Sequence, residues 1–236
     1  MPAVAKLLHE IREMPTRRRL WARLLDYVHS KGVAMASYHA VAADGTTLPI
    51  ATDGFPEGWV REYLARGYVA IDPIPELAAR LAEPFYWHDI EALAPDRPAA
   101  ARYLAAMEAA ALGDGLAFYV FGPALQNAYV GLGFGEARVE LSADDVFELQ
   151  CVIQAGHLRY CALDRRQTGS APLSDREREV LEWVARGKSN SVIGDILEIS
   201  AHTVDAHMRA IYRKLGVADR TSAALRGVGA GIIRLR

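Results

Sequence analysis

Long apolar runs are missing from this chain. None of its 236 residues belongs to a stretch approaching the ~20 apolar residues that a membrane-spanning helix needs. The opening MPAVAKLLHEIREMPTRRRL lacks the apolar centre and small-residue cleavage site of a secretory signal. A soluble, cytoplasmic protein with no membrane partner is expected. Cysteine is scarce as well, at two residues, Cys151 and Cys161. Placed ten apart on one helix, they would lie roughly 15 Å apart along its axis, beyond the reach of a disulfide. They are expected to be reduced packing residues. No Cys/His cluster has zinc-ligand spacing, and no glycine-rich phosphate loop is present. With no visible nucleophile–base pair or metal set, neither an enzyme nor a bound cofactor is expected.

Net charge is also small, at −2, which looks wrong for a nucleic-acid binder. The distribution resolves this. From Arg165 onward there are 13 basic and 8 acidic residues, so the acidic excess lies in the earlier part. A basic C-terminal module beside an acidic N-terminal one suits a phosphate-binding output under separate control. The polar segment Asp164–Pro172, DRRQTGSAP, reads as the linker between them.

What the chain does have is a helix-turn-helix pattern from Leu173 to Val217. Ser174 and Glu177 have capping-box spacing, and Val180, Leu181 and Val184 give the buried face of a first helix. Gly187 ends that helix, and Ser189 or Asn190 caps a second with Ile193, Ile196 and Leu197 as core. Glu198-Ile199-Ser200 forms the turn. Val204, Met208, Ile211, Tyr212 and Leu215 then form one apolar stripe, with His202, Asp205, Arg209 and Arg213 on the other face. This is how a recognition helix is offered to a major groove. A fourth helix is expected from Asp219 or Arg220, with Ala223, Ala224, Leu225 and Val228 packing back.

The N-terminal part mixes periods. Helices are expected near 16–30, 57–66, 71–82, 99–112 and 141–163. Strands are expected at Val33–Ala42, Thr47–Thr52, Phe85–His88, Leu116–Phe121 and Ala128–Phe134, with Asp44-Gly45 as a turn. Strands joined mostly through turns and flanked by helices point to an α+β sandwich with an antiparallel sheet, followed by an all-α domain. The order of elements lacks the central strand-end aspartate and later lysine of a phospho-receiver. Within WVREYLARGYVAIDP, Trp59 and Tyr63 share a helix face and Asp72 follows; Trp87 lies in PFYWHD. Aromatic walls with one carboxylate suit a small amphipathic ligand. From spacing alone, plain core aromatics with Asp72 capping a helix fit equally well.

The C-terminal pattern, through Glu177, Leu181, Gly187, Ile193, Leu197, Ser200, Thr203, Val204, Lys214 and Leu215, resembles LuxR-type transcription regulators. NarL-type response regulators share this module. The Trp59, Tyr63, Asp72 and Trp87 set resembles their autoinducer-binding domain, so both halves match one family in its domain order. The resemblance implies residues 1–163 as an α-β-α autoinducer domain, 164–172 as linker and 173–236 as DNA-binding domain. It implies an N-acyl-homoserine lactone effector, promoter DNA, a homodimer through the long helix near 141–163, and RNA polymerase as a candidate partner. In the ligand site, Trp59 would bond the lactone carbonyl and Asp72 the amide N–H, with Tyr63 and Trp87 as walls. Phe55 stands where a tyrosine is usual, and Gly133 where a serine or threonine is frequent. Gly131 and Gly133 are expected to make room for a longer acyl group. On DNA, Thr203 would contact phosphate, and Asp205 and Arg209 would reach base edges, cytosine N4 and guanine O6/N7 respectively. Lys188, Arg213 and Lys214 would hold phosphates. His202 shares the outward face and joins the candidate set, with a plain surface histidine as its other role. A LuxR-like regulator sensing a non-lactone molecule is the nearest alternative, and a phosphorylation-driven NarL-like regulator a more distant one.

Overall fold

The computed structural model describes residues 2–40, 48–95, 98–123, 126–137, 139–165 and 172–234. The expected Asp44-Gly45 turn and most of the expected linker lie outside the described residues. Two units form, one built on residues up to Leu163 and the other containing Asp164–Arg236.

In the first unit, β1 (Met35–Ala40), β2 (Ala51–Asp53), β3 (Phe85–Tyr86), β4 (Asp114–Val120) and β5 (Ala128–Gly135) form an antiparallel sheet in the order β2-β1-β5-β4-β3. Tyr38 pairs with Ala51 on one side and Val130 on the other, and Phe118 opposite Val130 continues the ladder. Alternation along the strands sends successive side chains to opposite faces. Ala36, Val130, Leu132, Leu116 and Phe118 join one buried cluster, and Met35, Tyr129 and Ala117 another. Both faces are covered, which is why β5 is buried along nearly its whole length rather than alternating.

Helices α3 (Trp59–Ala65), α4 (Ile74–Leu81), α5 (Ile90–Leu93) and α6 (Pro98–Ala109) close the face that carries Met35 and Tyr129. Helices α2 (Arg17–Ser30) and α7 (Ala143–Arg165) close the other. Behind them α1 (Pro2–Glu13) buries Leu7 and Ile11 among Leu20, Val152 and Leu163. No helix among the described residues is long and apolar enough to cross a membrane.

Several expectations shift. The first helix was missed. α7 runs on to Arg165, two residues into the expected linker. The expected helix at Ile71 starts at Ile74, preceded by a single 3-10 turn at Tyr68–Ala70. Pro73 occupies the N-cap position of α4 and has no side chain that could cap it.

The second unit packs α8 (Asp175–Ala185), α9 (Asn190–Leu197), α10 (Ala201–Leu215) and α11 (Arg220–Gly229) around Val180, Leu181, Ile193, Val204, Met208 and Ile211. Each start is capped by a side chain: Ser174, Ser189, Ser200 and Asp219 accept the N–H three residues on. Ser174 and Glu177 complete the reciprocal capping box. Gly194 in α9 allows the turn to close tightly, because a Cβ there would stand 2.6 Å from the Ile199 carbonyl oxygen. Three expected core residues are corrected: Ile196, Leu225 and Val228 are exposed. Their helices turn these positions away from the small four-helix core, which Ile193 and Ala223 fill.

Candidate functional site

Two places in the chain gather chemistry. The first lies between the sheet and α3, α4 and α6. Helical spacing puts Trp59 and Tyr63 on the buried face of α3, and the turn at Tyr68–Ala70 returns the chain so that Asp72 meets them. The Tyr63 hydroxyl donates to Asp72 Oδ2 at 2.9 Å, and the Ile74 N–H donates to Asp72 Oδ1 at 2.9 Å. Asp72 therefore caps α4 and faces the site at once. Tyr103 of α6 adds a further hydroxyl on the carboxylate. Burial nonetheless dominates and pushes the Asp72 carboxyl up to about 6, with those three hydrogen bonds pulling the other way. His39 is held neutral by burial, down to about 4, with its ring edge-on to Tyr129 at 5.0 Å.

Tyr63 is thus more than a wall: it holds the carboxylate. Trp59 stacks near Tyr68, their planes 26° apart. Trp87, from the 3-10 turn after β3, is buried, and its indole N–H reaches no well-formed hydrogen bond, although the Tyr129 hydroxyl lies nearby. Phe55 lines the same space without a hydroxyl to contribute. Sequence reasoning missed Tyr103, Tyr129, His39 and Ser37, which line it from three other elements.

The expected room at the glycines is not there. A Cβ on Gly133 would lie 2.7 Å from the Met35 methyl and 3.0 Å from the Trp87 ring. One on Gly131 would meet the Tyr129 hydroxyl at 2.4 Å. Gly133 admits Met35 and Trp87 from neighbouring elements and Gly131 admits the Tyr129 hydroxyl of its own strand, and that leaves a cavity of about 40 Å³. A water occupies roughly 30 Å³ and a drug-sized ligand needs about 300 Å³ or more. The donors and acceptors fit an amphipathic molecule carrying an amide and a carbonyl. Its volume is made only if the ring cluster repacks around it.

The second place is the outward face of α10. His202, Asp205, Arg209 and Arg213 lie along it, exposed, and Thr203 stands at its N-terminus. The Thr203 N–H donates to Ser200 Oγ at 3.0 Å, and its hydroxyl bonds the same oxygen at 2.8 Å. Helix N-termini favour phosphate. Arg209 Nη2 pairs with Asp205 Oδ2 at 3.0 Å, one turn apart and both exposed. Lys188 is exposed in the α8–α9 connection, whose carbonyl and the Asn190 side chain are braced by Arg220, a role no pattern suggested.

Lys214 does not share this face. Its Nζ reaches Glu177 Oε2 at 2.7 Å and the Pro172 carbonyl at 3.2 Å, tying α10 to the start of α8. Glu177 is buried, so the lysine neutralises a charge that water cannot reach well. Replacing Lys214 with methionine should cost about 2 kcal/mol, between the limits for exposed and buried pairs. Denaturant melts of the C-terminal transition would show it, and an unchanged midpoint would mean the pair contributes nothing.

An α-β-α sandwich with a buried aromatic–carboxylate chamber, followed by a capped helix-turn-helix, defines a ligand-gated DNA-binding regulator. Comparison with known proteins agrees. Residues 16–160 match the autoinducer binding domain and residues 171–226 the bacterial regulatory proteins of the luxR family. The regulator RpaR of Rhodopseudomonas palustris, described as quorum sensing-dependent, is 30% identical over 184 residues, covering 78% of this chain and 74% of that protein. The HTH-type regulator y4qH of Sinorhizobium fredii is 32% identical over 183 residues, 77% of this chain but only 56% of that protein. The crystal structure of SdiA from Escherichia coli shares the fold, with a TM-score of 0.77 at 22% identity over 99% of this chain and 98% of that one. The chain belongs to the LuxR family of quorum-sensing transcription regulators, a family that is not enzymatic.

Proposed function

We propose that the effector of this regulator is an N-acyl-homoserine lactone held at Asp72. The observation that carries the reading is the pairing, in one buried chamber, of a carboxylate fixed by Tyr63, Tyr103 and Ile74 with an indole N–H lacking a well-formed partner. A carboxylate only accepts and an indole only donates. Together they suit an amide N–H and a carbonyl. Asp72 takes the amide N–H, Trp59 the lactone carbonyl, and Trp87 offers a further donor. Phe55 leaves the amide carbonyl to Trp87 or water, while Gly133 and Gly131 accommodate the rings that must move.

Residues 1–163 act as the sensor and 173–236 as the DNA reader, joined by 164–172. Ligand entering the ring cluster stabilises whichever arrangement binds it and shifts the population toward that arrangement. The active form is a cytoplasmic homodimer that sets two α10 helices into successive major grooves, with RNA polymerase as its partner at the promoter. Thr203, Lys188 and Arg213 hold phosphates, and His202, Asp205 and Arg209 face the bases.

Mass spectrometry of the organic extract from protein produced amid mixed acyl-homoserine lactones tests this. Retention of one lactone in near-equimolar amount is expected. Retention of none by protein that still binds DNA would transfer the role to a non-lactone effector, the second reading that Phe55 favours.

A further inference from the structure

The connection between α8 and α9 is exposed, yet its backbone is tied at both ends. Gly187 ends α8 in a left-handed conformation, and the Lys188 N–H turns back to donate to the Trp183 carbonyl at 3.1 Å. The Lys188 carbonyl accepts from the guanidinium of Arg220, the first residue of α11. Both backbone groups of Lys188 are thus occupied. Its side chain is exposed, with no partner among the described residues.

The same guanidinium reaches the first residue of α9. Arg220 Nη1 donates to Asn190 Oδ1 at 2.9 Å. A guanidinium only donates, so it faces the oxygen of a side-chain amide and not the nitrogen. The Asn190 NH₂ is thereby turned away from Arg220, with no acceptor among the described residues. Asp219, the chain neighbour of Arg220, does not draw the guanidinium off. It is taken up by Ser222, which donates to it through its N–H at 2.9 Å and its hydroxyl at 2.5 Å. In a helix-turn-helix the first helix crosses the DNA backbone while the second enters the groove. A free ammonium and a free amide NH₂, two residues apart on one braced segment before that first helix, suit phosphate oxygens, which only accept.

We infer that Asn190 is a contact to the DNA backbone and that Arg220 is the positioning residue for Asn190 and Lys188 together. Arg220 holds the segment in place before DNA arrives, so little ordering remains to be done on binding. Lysine cannot take over this role, because one ammonium on a flexible stem does not span two acceptors as a planar fork does. The inference rests on the placement of α10 in the major groove, which loss of single-base selectivity in Arg209→Ala reports separately.

The test is binding of the full chain, with mixed acyl-homoserine lactones present, to a duplex that the wild type recovers from a random-sequence pool, read at several salt concentrations. Asn190→Ala should weaken binding about tenfold on every single-base variant of that duplex. Its slope of log affinity against log salt should not change, since a neutral donor displaces no cation. Asn190→Asp keeps the acceptor for Arg220, so urea melts of the C-terminal transition should match the wild type while DNA binding falls further than in Asn190→Ala. Arg220→Lys keeps the charge and should still weaken binding about tenfold. Made in an Asn190→Ala, Lys188→Ala background, it should cost little more. Should Arg220→Lys fold poorly, Asn190→Asp still separates contact from bracing. Wild-type affinity in Asn190→Ala or in Arg220→Lys would overturn the inference. So would a loss in Arg220→Lys that is the same whether or not Lys188 and Asn190 are present. Lys188→Ala should lower the salt slope by about one. An unchanged slope there would strike Lys188 from the functional reading, and with it the part of the inference that concerns Lys188.

Discussion

Asp72→Asn should lose lactone response by about 10- to 100-fold in ligand concentration, the size expected when a hydrogen bond to a charged acceptor is removed. The amide would keep an acceptor for the Ile74 N–H but turn its NH₂ toward the ligand, donor against donor. The same change should stabilise the protein without ligand. Burial raises the Asp72 carboxyl from 3.8 to about 6, so ionising it in the fold costs up to about 3 kcal/mol at neutral pH. The folded chain then holds more protons than the unfolded one between about pH 4 and about pH 6. Wild-type stability should fall as pH rises through that window and level off above it. The asparagine variant should lack this slope in urea melts. An amide N–H donated to the carboxylate favours its ionised form, so lactone affinity in the wild type should rise with pH toward a plateau above about 6. An unchanged dose-response in the variant would remove Asp72 from the site.

How far this was legible differs between the two halves for a physical reason. Ser174, Ser189, Ser200 and Asp219 each bond a group three residues away, and the stripe from Val204 to Leu215 is one helix's own periodicity. Such information is local, so the helix-turn-helix could be read almost whole. What escaped there depended on how the helices meet: Ile196, Leu225 and Val228 turn out exposed, and Lys214 looked like a phosphate contact because Glu177 lies 37 residues away in the chain. The sensor unit depends on such meetings throughout. Its strands were placed within a few residues, and Trp59, Tyr63 and Asp72 do converge. Tyr103, Tyr129 and His39 join them from three separate elements whose convergence no spacing encodes. The glycines of β5 show the same limit. A glycine leaves a hollow only if nothing else enters it, and here Trp87 and Met35 do. A cavity of about 300 Å³ between the sheet, α2 and α7 was invisible for the opposite reason: Ala36 and Ala40, which line it, look like ordinary strand residues until the two helices are set above them.

Asp205→Ala should tighten DNA binding and make it less selective. In the structure Asp205 is the partner of Arg209, 3.0 Å away and one turn earlier on α10. An exposed pair of this kind contributes little to stability, about 0.3–0.5 kcal/mol, so the helix should survive its loss. Its effect on DNA is larger, because an anion on the reading face opposes every phosphate that α10 approaches. Removing it frees Arg209 and raises the positive charge facing DNA. The slope of log affinity against log salt should then steepen by up to about one unit if Arg209 gains a phosphate, by counterion release. Arg209→Ala should weaken binding and lose selectivity at one base position, costing about 1–3 kcal/mol there while leaving other positions unchanged. The double variant separates two roles for Asp205. If it only holds Arg209 in place, losing it after Arg209 is gone should change nothing. If it accepts from a cytosine N4, the double variant should lose selectivity at a second base. Titrations of single-base operator variants at two salt concentrations decide between them. A uniform loss across all sequences in Arg209→Ala would reduce that residue to a phosphate contact.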